Sequence, residues 1–359
     1  MYLFIIADLH LTSRAEHPER FSALEAILAK MKAVDLKGIV LAGDTFDASF
    51  NNYSEFDAVC KQHPSIHFYV IPGNHDPDIS KRQIIAPNVT IYTQPTLVRM
   101  EPEGLPFLCL PYERNKTMGE RIAEFAPQLP PDNWVLVAHG DYLDGPREAN
   151  PYGDDGLHMP LTRRDITIFR PAKVFLGHIH ASMDKDPVYF TGSPCGLDIS
   201  ETGQRRYLVY DTQSGKVESQ RVNSDLIFYD ETLTVLPMED ETVNLRNKAQ
   251  DVIKRWDLEP ADYGKVRLRL KINGYTTDKN RALQTLTECF APFHFNNSED
   301  IDCRGLNDSR DSDRIVLAEI VRQSISRQTW LSGPDEPDRD AILLAALDLI
   351  YGGKNASSH

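Results

Sequence analysis

The chain has 359 residues, 41% of them hydrophobic, enough for about two domains with sizeable cores. Its 53 acidic against 39 basic residues give a formal net charge of -14, which excludes a protein that grips nucleic acid with its whole surface. The five cysteines, Cys60, Cys109, Cys195, Cys289 and Cys303, lack paired spacing, so neither a disulfide framework nor a zinc-thiolate site is suggested and a reducing cytoplasm is the simplest compartment.

The opening run Tyr2-Leu3-Phe4-Ile5-Ile6-Ala7 is apolar and β-prone. It is too short to span a membrane and has no basic flank of a signal peptide, so a cytoplasmic protein without a membrane partner is expected. This predicted strand stops at Asp8-Leu9-His10. Phe21, Leu24, Leu28 and Met31 stand at helical spacing and predict an amphipathic helix over residues 19–33. A second strand, Gly38-Ile39-Val40-Leu41-Ala42, stops at Gly43-Asp44-Thr45-Phe46-Asp47, and a weak helix follows near 53–62. The third run, Phe68-Tyr69-Val70-Ile71, is bounded by Pro72 and Gly73 and delivers Asn74-His75-Asp76. Gly73 permits the sharp turn that brings backbone close to an ion or phosphate.

Residues 84–111 predict short irregular strands. A helix near 118–126 leads to Trp134-Val135-Leu136-Val137-Ala138, which ends at His139-Gly140. After a long polar loop and a short helix near 161–168, Lys173-Val174-Phe175-Leu176 ends at Gly177-His178-Ile179-His180. Beyond residue 185 the pattern changes to short antiparallel strands at Val188 to Thr191, Tyr207 to Asp211 and Lys216 to Val222, with Ser214-Gly215 as a hairpin turn. From about 226 the order strand, helix, strand, helix, strand predicts a small α+β domain. The loop from Ser298 to Asp313 is acidic, and helices are predicted at 313–326 and 338–351. The predicted division is 1–225, 226–300, and an acidic linker with a C-terminal helical segment over 301–359. No internal repeat is visible.

Five apolar runs thus end in residues able to bind a metal. In open α/β sheets parallel strands finish on one edge, where ligands gather, so the five ends are expected to meet. Asp8, His10, Asp44, Asn74, His139, His178 and His180 supply carboxylate, amide and imidazole donors without a thiolate, which suits manganese, iron or zinc. Seven donors exceed one tetrahedral site. A pair of ions about 3.5–4 Å apart sharing one carboxylate accounts for them, with Asp44 as the candidate bridge. Such a pair activates water near neutral pH and stabilises the charge that builds up at phosphorus, so hydrolysis of a phosphate ester is the matching reaction. His63, His67 and His158 fit none of the strand ends and are assigned as surface or structural histidines.

Asp-x-His, Gly-Asp-x-x-Asp, Gly-Asn-His-Asp, a strand-end His-Gly and Gly-His-x-His together resemble the calcineurin-like metallophosphoesterase superfamily over about residues 1–222. The resemblance implies an α/β fold of two facing mixed sheets flanked by helices, a metallophosphoesterase sandwich, with the smaller α+β domain as a cap and C-terminal helices. It implies two divalent ions, with manganese the leading candidate and iron or zinc as alternatives. Asp8, His10, Asp44 and His180 would hold one, and Asp44, Asn74, His139 and His178 the other. His75 would protonate the leaving oxygen, and Asp76 could orient it.

Asp8-Leu9-His10-Leu11, Gly43 to Asp47, Gly177 to His180 and Thr191-Gly192-Ser193-Pro194, followed by Glu201 and the strand Tyr207 to Asp211, resemble most closely the SbcD-type DNA repair nucleases. That resemblance implies a DNA exonuclease or endonuclease subunit with DNA and an SbcC-type, SMC-like ATPase as partners, and a homodimer. Lys265, Arg267, Arg269 and Lys271 alternate along one strand and so share a face. They are either a DNA-facing strip or an ordinary solvated face. The apolar stripe Ile342, Leu343, Ala346, Leu347 and Ile350 either docks on the ATPase or packs on this chain's own cap. The competing functions are a small-molecule or cyclic-nucleotide phosphodiesterase and a scaffold without chemistry.

Overall fold

The structure is a computed structural model that describes residues 1–48, 53–145, 156–238, 240–309, 311–329 and 339–352. Part of the predicted polar loop after Gly140 lies outside these residues. The chain divides into two compact units, Met1–Leu197 with Gln204–Ile227, and Asp198–Gly203 with Phe228–His359.

In the first unit, β1 (Tyr2–Ile6), β2 (Gly38–Ala42), β3 (His67–Ile71) and β4 (Val89–Ile91) run parallel in that order. A second sheet carries β5 (Thr96–Arg99) antiparallel to β6 (Pro106–Leu110), which runs parallel to β7 (Val135–His139). The pair β8 (Tyr142–Leu143) and β9 (Leu161–Thr162) forms a short parallel ribbon beside it. Next to β7 lies β10 (Lys173–Gly177), then β12 (Val188–Phe190) and at the edge β11 (Met183–Lys185). β13 (Arg206–Asp211) and β14 (Val217–Arg221) return to the first sheet, antiparallel beside β1.

Alternation along β1 explains the layering. Leu3 and Ile5 point between the sheets, where they join Val40, Phe107, Val135, Val137, Phe175 and Tyr210. Phe4 and Ile6 point outward, under helix α1 (Pro18–Ala33) and helix α2 (Ser54–Gln62), which bury Phe21, Leu24, Ile27, Phe56 and Val59 against them. On the far side of the second sheet, α3 (Met118–Phe125) and α4 (Arg163–Phe169) cover Leu108, Leu136, Val174 and Leu176. Strands buried on both faces read as continuous apolar runs, which is why these runs were legible. The result is the expected sandwich of two mixed sheets flanked by helices. α3 and α4 both open with a capping box, at Thr117 with Glu120 and at Thr162 with Asp165.

After the short Asp198–Gly203 segment, the second unit resumes along β15 (Ile227–Val235), which lies beside the long β16 (Val266–Thr276). α5 (Glu241–Arg255) buries Leu245, Ala249 and Val252, and α6 (Lys279–Phe290) buries Ala282, Leu286 and Phe290. β17 (His294–Phe295) pairs with the start of β16.

The predicted acidic linker needs correction. Asp302–Asp308 is a strand, β18, parallel to the second half of β16. Its sequence, Asp-Cys-Arg-Gly-Leu-Asn-Asp, shows no apolar alternation, and pairing with a long central strand overrides that weak preference. The basic strip does share a face, and three of its four charges are matched by carboxylates within the unit, while Arg267 bonds the carbonyls of Gly264 and Val266. Arg269 lies 3.5 Å from Asp230 and 3.6 Å from Glu299, Lys271 lies 3.3 Å from Asp230, and Lys265 lies 2.7 Å from Asp262. The last helices are α7 (Ser312–Arg327) and α8 (Arg339–Gly352). Leu343 and Leu347 are buried with Ala318, Tyr275 and Leu236, so the core of the terminal apolar stripe packs on its own unit. No helix among the described residues is long and apolar enough to cross a membrane.

Candidate metal centre

Each predicted donor sits at or just beyond a strand end, His139 as the last residue of β7 and the others in the turns that follow. Asp8, His10, Asp44 and His178 hold φ at 56°, 45°, 48° and 96°, a region that L-residues enter only against steric resistance. The first two turns are stitched together, with Asp8 N–H donating to Gly43 O at 3.1 Å and His10 N–H to Asp44 O at 3.0 Å. The third turn presses on the second at Gly73, where a Cβ would stand 2.2 Å from Asp44 Oδ1 and 2.4 Å from Asp44 N. Between the sheets, a Cβ at Gly177 would stand 2.2 Å from Ala42 O. Two glycines therefore let the strand ends converge.

Asp44 is the hub. Its Oδ2 lies 3.1 Å from His139 Nε2 and 3.7 Å from His10 Nε2, while its Oδ1 accepts the His75 N–H at 2.8 Å. His10 and His180 bring their Nε2 atoms to 3.1 Å. Asn74 Oδ1 lies 2.9 Å from His139 Nε2 and 3.0 Å from His178 Nδ1. Across the sandwich, Asp8 Oδ1 accepts the His178 N–H at 2.9 Å. Three sets of donors, Asp8 with His10 and His180, His10 with Asp44 and His75, and Asp44 with His139 and His178, each lie within 4.8 Å of one another. All seven predicted ligands and His75 are thus in one cluster.

The donors fit divalent cations. Asp8 is fully buried, yet its Oδ2 has no hydrogen-bond partner, an arrangement that is expensive unless a cation sits there. Burial pushes the Asp8 carboxyl up. Burial acts the same way on Asp44, but His139 and His10 outweigh it and hold Asp44 well below the usual carboxylate range. His139 is pulled down by burial, and Asp44 and Asp8 more than reverse this, raising it to about 9. His178 goes down to about 3 through burial, with His139 and His158 adding to it. A histidine kept neutral retains the lone pair a metal needs. Carboxylate oxygens, imidazole nitrogens and an amide oxygen suit a borderline first-row ion.

Asp76 departs from its expected part. Its Oδ1 accepts Gly73 N–H at 2.6 Å and its Oδ2 accepts Phe46 N–H at 3.1 Å. It therefore clamps the turn to the neighbouring loop, and His75 Nδ1 is buried without a hydrogen-bond partner. Burial, with Asp44 nearby, lifts Asp76 to about 6. His75 itself is half-buried, which lowers it, and its ring meets His10 edge-on at 4.7 Å.

His158 also departs from its assignment. Its ring lies 4.7 Å from that of His178, whereas His67 bonds Thr90 away from the cluster. Two further residues escaped the sequence reading. Asp141, two positions after His139, lies 3.7 Å from His178 Nε2 and accepts the His158 N–H at 2.6 Å. Arg20 reaches from α1 to the carbonyl of His10 and lies 4.0 Å from Asp47, whose Oδ2 is 3.8 Å from His10 Nδ1. Adjacency to His139 could have pointed to Asp141, but nothing in the helix pattern sets Arg20 apart.

The profile of the family described as calcineurin-like phosphoesterase matches residues 1–182. Among solved structures, one described as a novel archaeal phosphodiesterase aligns at 14% identity and a TM-score of 0.34, over 62% of this chain and 100% of that one. Another, GAP50, described as the anchor in the inner membrane complex of Plasmodium, aligns at 10% identity and a TM-score of 0.38, over 62% and 89%. No curated protein matches the sequence.

Proposed function

Because the chain belongs to the calcineurin-like phosphoesterase family, whose members are metal-dependent hydrolases of phosphate esters, we propose that it is a two-ion phosphodiesterase acting on DNA, of the SbcD type. The observation that carries the two-ion reading is the position of Asp44, whose carboxylate belongs to two of the three donor sets. Asp8, His10, Asp44 and His180 would hold one ion, and Asp44, Asn74, His139 and His178 the other. Bound divalent ions neutralise phosphate charge and supply an activated water near neutral pH. His75 hands a proton to the leaving oxygen. Its N–H bond to Asp44 fixes the residue beside the ions, and a phosphodiester anion alongside favours the protonated imidazole. Asp76 keeps the His75 turn in place through Gly73 and Phe46.

The DNA assignment rests on the resemblance of the segment after His180 to the SbcD-type nucleases. Arg205 donates to the carbonyls of His180 and Ser193, tying Thr191-Gly192-Ser193-Pro194 to the metal cluster. The partner ATPase of this reading would sit on the C-terminal segment, where Val316, Leu317 and Ile320 of α7 are exposed. Manganese is the ion proposed, the cytoplasm the compartment, and a homodimer the assembly. A second reading, a phosphodiesterase of small or cyclic substrates, is favoured by the ion pairing of Arg269 and Lys271 on β16, since unaided duplex binding rests on free basic charge.

Manganese-loaded protein offered linear duplex DNA, single-stranded DNA, cyclic nucleotides and an aryl phosphodiester tests these readings, with His75→Ala as control. Cleavage of DNA that the control lacks is expected. Cleavage of small esters alone, with an ATPase partner present, would overturn the DNA assignment and leave the phosphodiesterase.

A further inference from the structure

His178 presents two differently occupied ring nitrogens. Nδ1 faces Asn74 Oδ1 at 3.0 Å, on the side where His139 and Asp44 converge. Nε2 points the other way, is buried, and has no hydrogen-bond partner. The atom in front of it is Asp141 Oδ1, 3.7 Å away. Asp141 is itself buried, and its other oxygen is fixed by the His158 N–H at 2.6 Å, so the carboxylate cannot swing freely. The His158 ring lies alongside the His178 ring at 4.7 Å and limits its rotation.

A neutral imidazole carries one proton. With that proton on Nδ1, a lone pair on Nε2 would face a buried carboxylate, and two acceptors would oppose each other out of water. With the proton on Nε2, the ring donates toward Asp141 and its Nδ1 lone pair faces Asn74 Oδ1, a second acceptor 3.0 Å away, so this tautomer is favoured when a cation lies between the two and takes both lone pairs. Metal-binding histidines are commonly held this way, with the second N–H given to a carboxylate that fixes tautomer and ring angle. The same motif stands on the other half of the cluster, where Asp47 Oδ2 lies 3.8 Å from His10 Nδ1 while His10 Nε2 faces Asp44 and His180.

We propose that Asp141 is a positioning residue for the second ion, setting His178 in the Nε2–H tautomer so that Nδ1 is available to the metal. The inference rests on the reading of His178 and Asn74 as ligands of one ion.

Two measurements on the full chain test it. In the zinc-loaded, histidine-15N-labelled protein, long-range 1H–15N correlation should show His178 protonated at Nε2, with Nδ1 shifted by the metal. A proton on Nδ1 would overturn the proposal, whatever any variant does. Second, Asp141→Asn retains an acceptor for the His158 N–H but turns an N–H donor toward His178 Nε2, favouring the wrong tautomer. Manganese titration calorimetry should then show one of the two ions bound about 10–100-fold more weakly. Unchanged affinity for both ions in this variant would mean that Asp141 merely anchors the loop at His158. Failure of the unmodified protein to bind two ions would instead sink the two-ion reading, and this inference with it.

Discussion

Asp8 Oδ1 accepts the backbone N–H of His178 at 2.9 Å, so the end of β1 in one sheet is bonded to the end of β10 in the other. One carboxylate oxygen is spent on joining the sheets, and the other, Oδ2, is left buried without a partner. Asp8→Asn keeps an acceptor for the His178 N–H and removes the charge. The expected outcome is a metal affinity lower by at least about 10–100-fold, with the apo protein melting within a few degrees of the unmodified one, as read by calorimetry and thermal denaturation.

His75→Ala should retain both ions and lose turnover by about 10²–10⁴-fold, the range of general acid catalysis. A leaving group that needs no protonation depends less on the acid. The loss should therefore be small for a nitrophenyl diester and large for a poorer alkoxide leaving group. Equal losses on both would count against proton donation.

Gly73→Ala places a methyl group on the Asp44 carboxylate and N–H. Relief requires the two turns to part, so metal binding and activity should fall together, with a destabilisation of about 1–3 kcal/mol. Metal content and thermal melts of the purified variant check this.

Away from the cluster, Asp57 on α2 accepts the N–H groups of Ile85 and Ala86 at 2.9 and 2.7 Å and pairs with Lys61 at 2.6 Å. Burial raises its carboxyl, but Lys61 and the two N–H groups outweigh that and leave it below the ordinary 3.8. A depressed folded value contributes stability that is complete above the unfolded value and is lost as pH falls through the folded one. Asp57→Ala should therefore cost about 2–3 kcal/mol at neutral pH, most of it from the N–H bonds because Lys61 is half-exposed. The gap from the unmodified protein should narrow as pH drops below 3.8, by the part that depends on the carboxylate's charge. Denaturant melts at neutral and acid pH measure it.

A divalent ion that binds the folded cluster and not the dispersed ligands of the unfolded chain stabilises the folded state, and manganese is the ion to test. At one hundred times its dissociation constant it should add about 2.7 kcal/mol per site. Thermal shift should rise with added manganese, and a chelator should return both the shift and the activity to the apo level.

What the sequence disclosed and what it hid follow the reach of each interaction. Asp8, Asp44, Asn74, His139 and His178 were legible because each ends an apolar run, and parallel strands deliver their ends to one edge. The bonds Asp76 makes to Gly73 and Phe46 were not legible, because they are set by turn geometry rather than by sequence proximity to His75. Asp141 and His158 were missed because the β8–β9 ribbon folds one back on the other across a long loop. β18 was hidden because its strand character comes from pairing with β16, and the ion pairing of Arg269 and Lys271 because Asp230 lies on the adjacent strand.

The positive backbone angles at Asp8, His10, Asp44 and His178 have a bearing on any attempt to harden this scaffold. Residues held in that region store roughly 1–3 kcal/mol each, and glycine would release most of it. Selection for heat resistance alone should then favour glycine or asparagine at these four positions and erase turnover as it succeeds. Thermal hardening that preserves activity would have to draw on helix surfaces such as those of α5 and α6, far in sequence from every one of these turns.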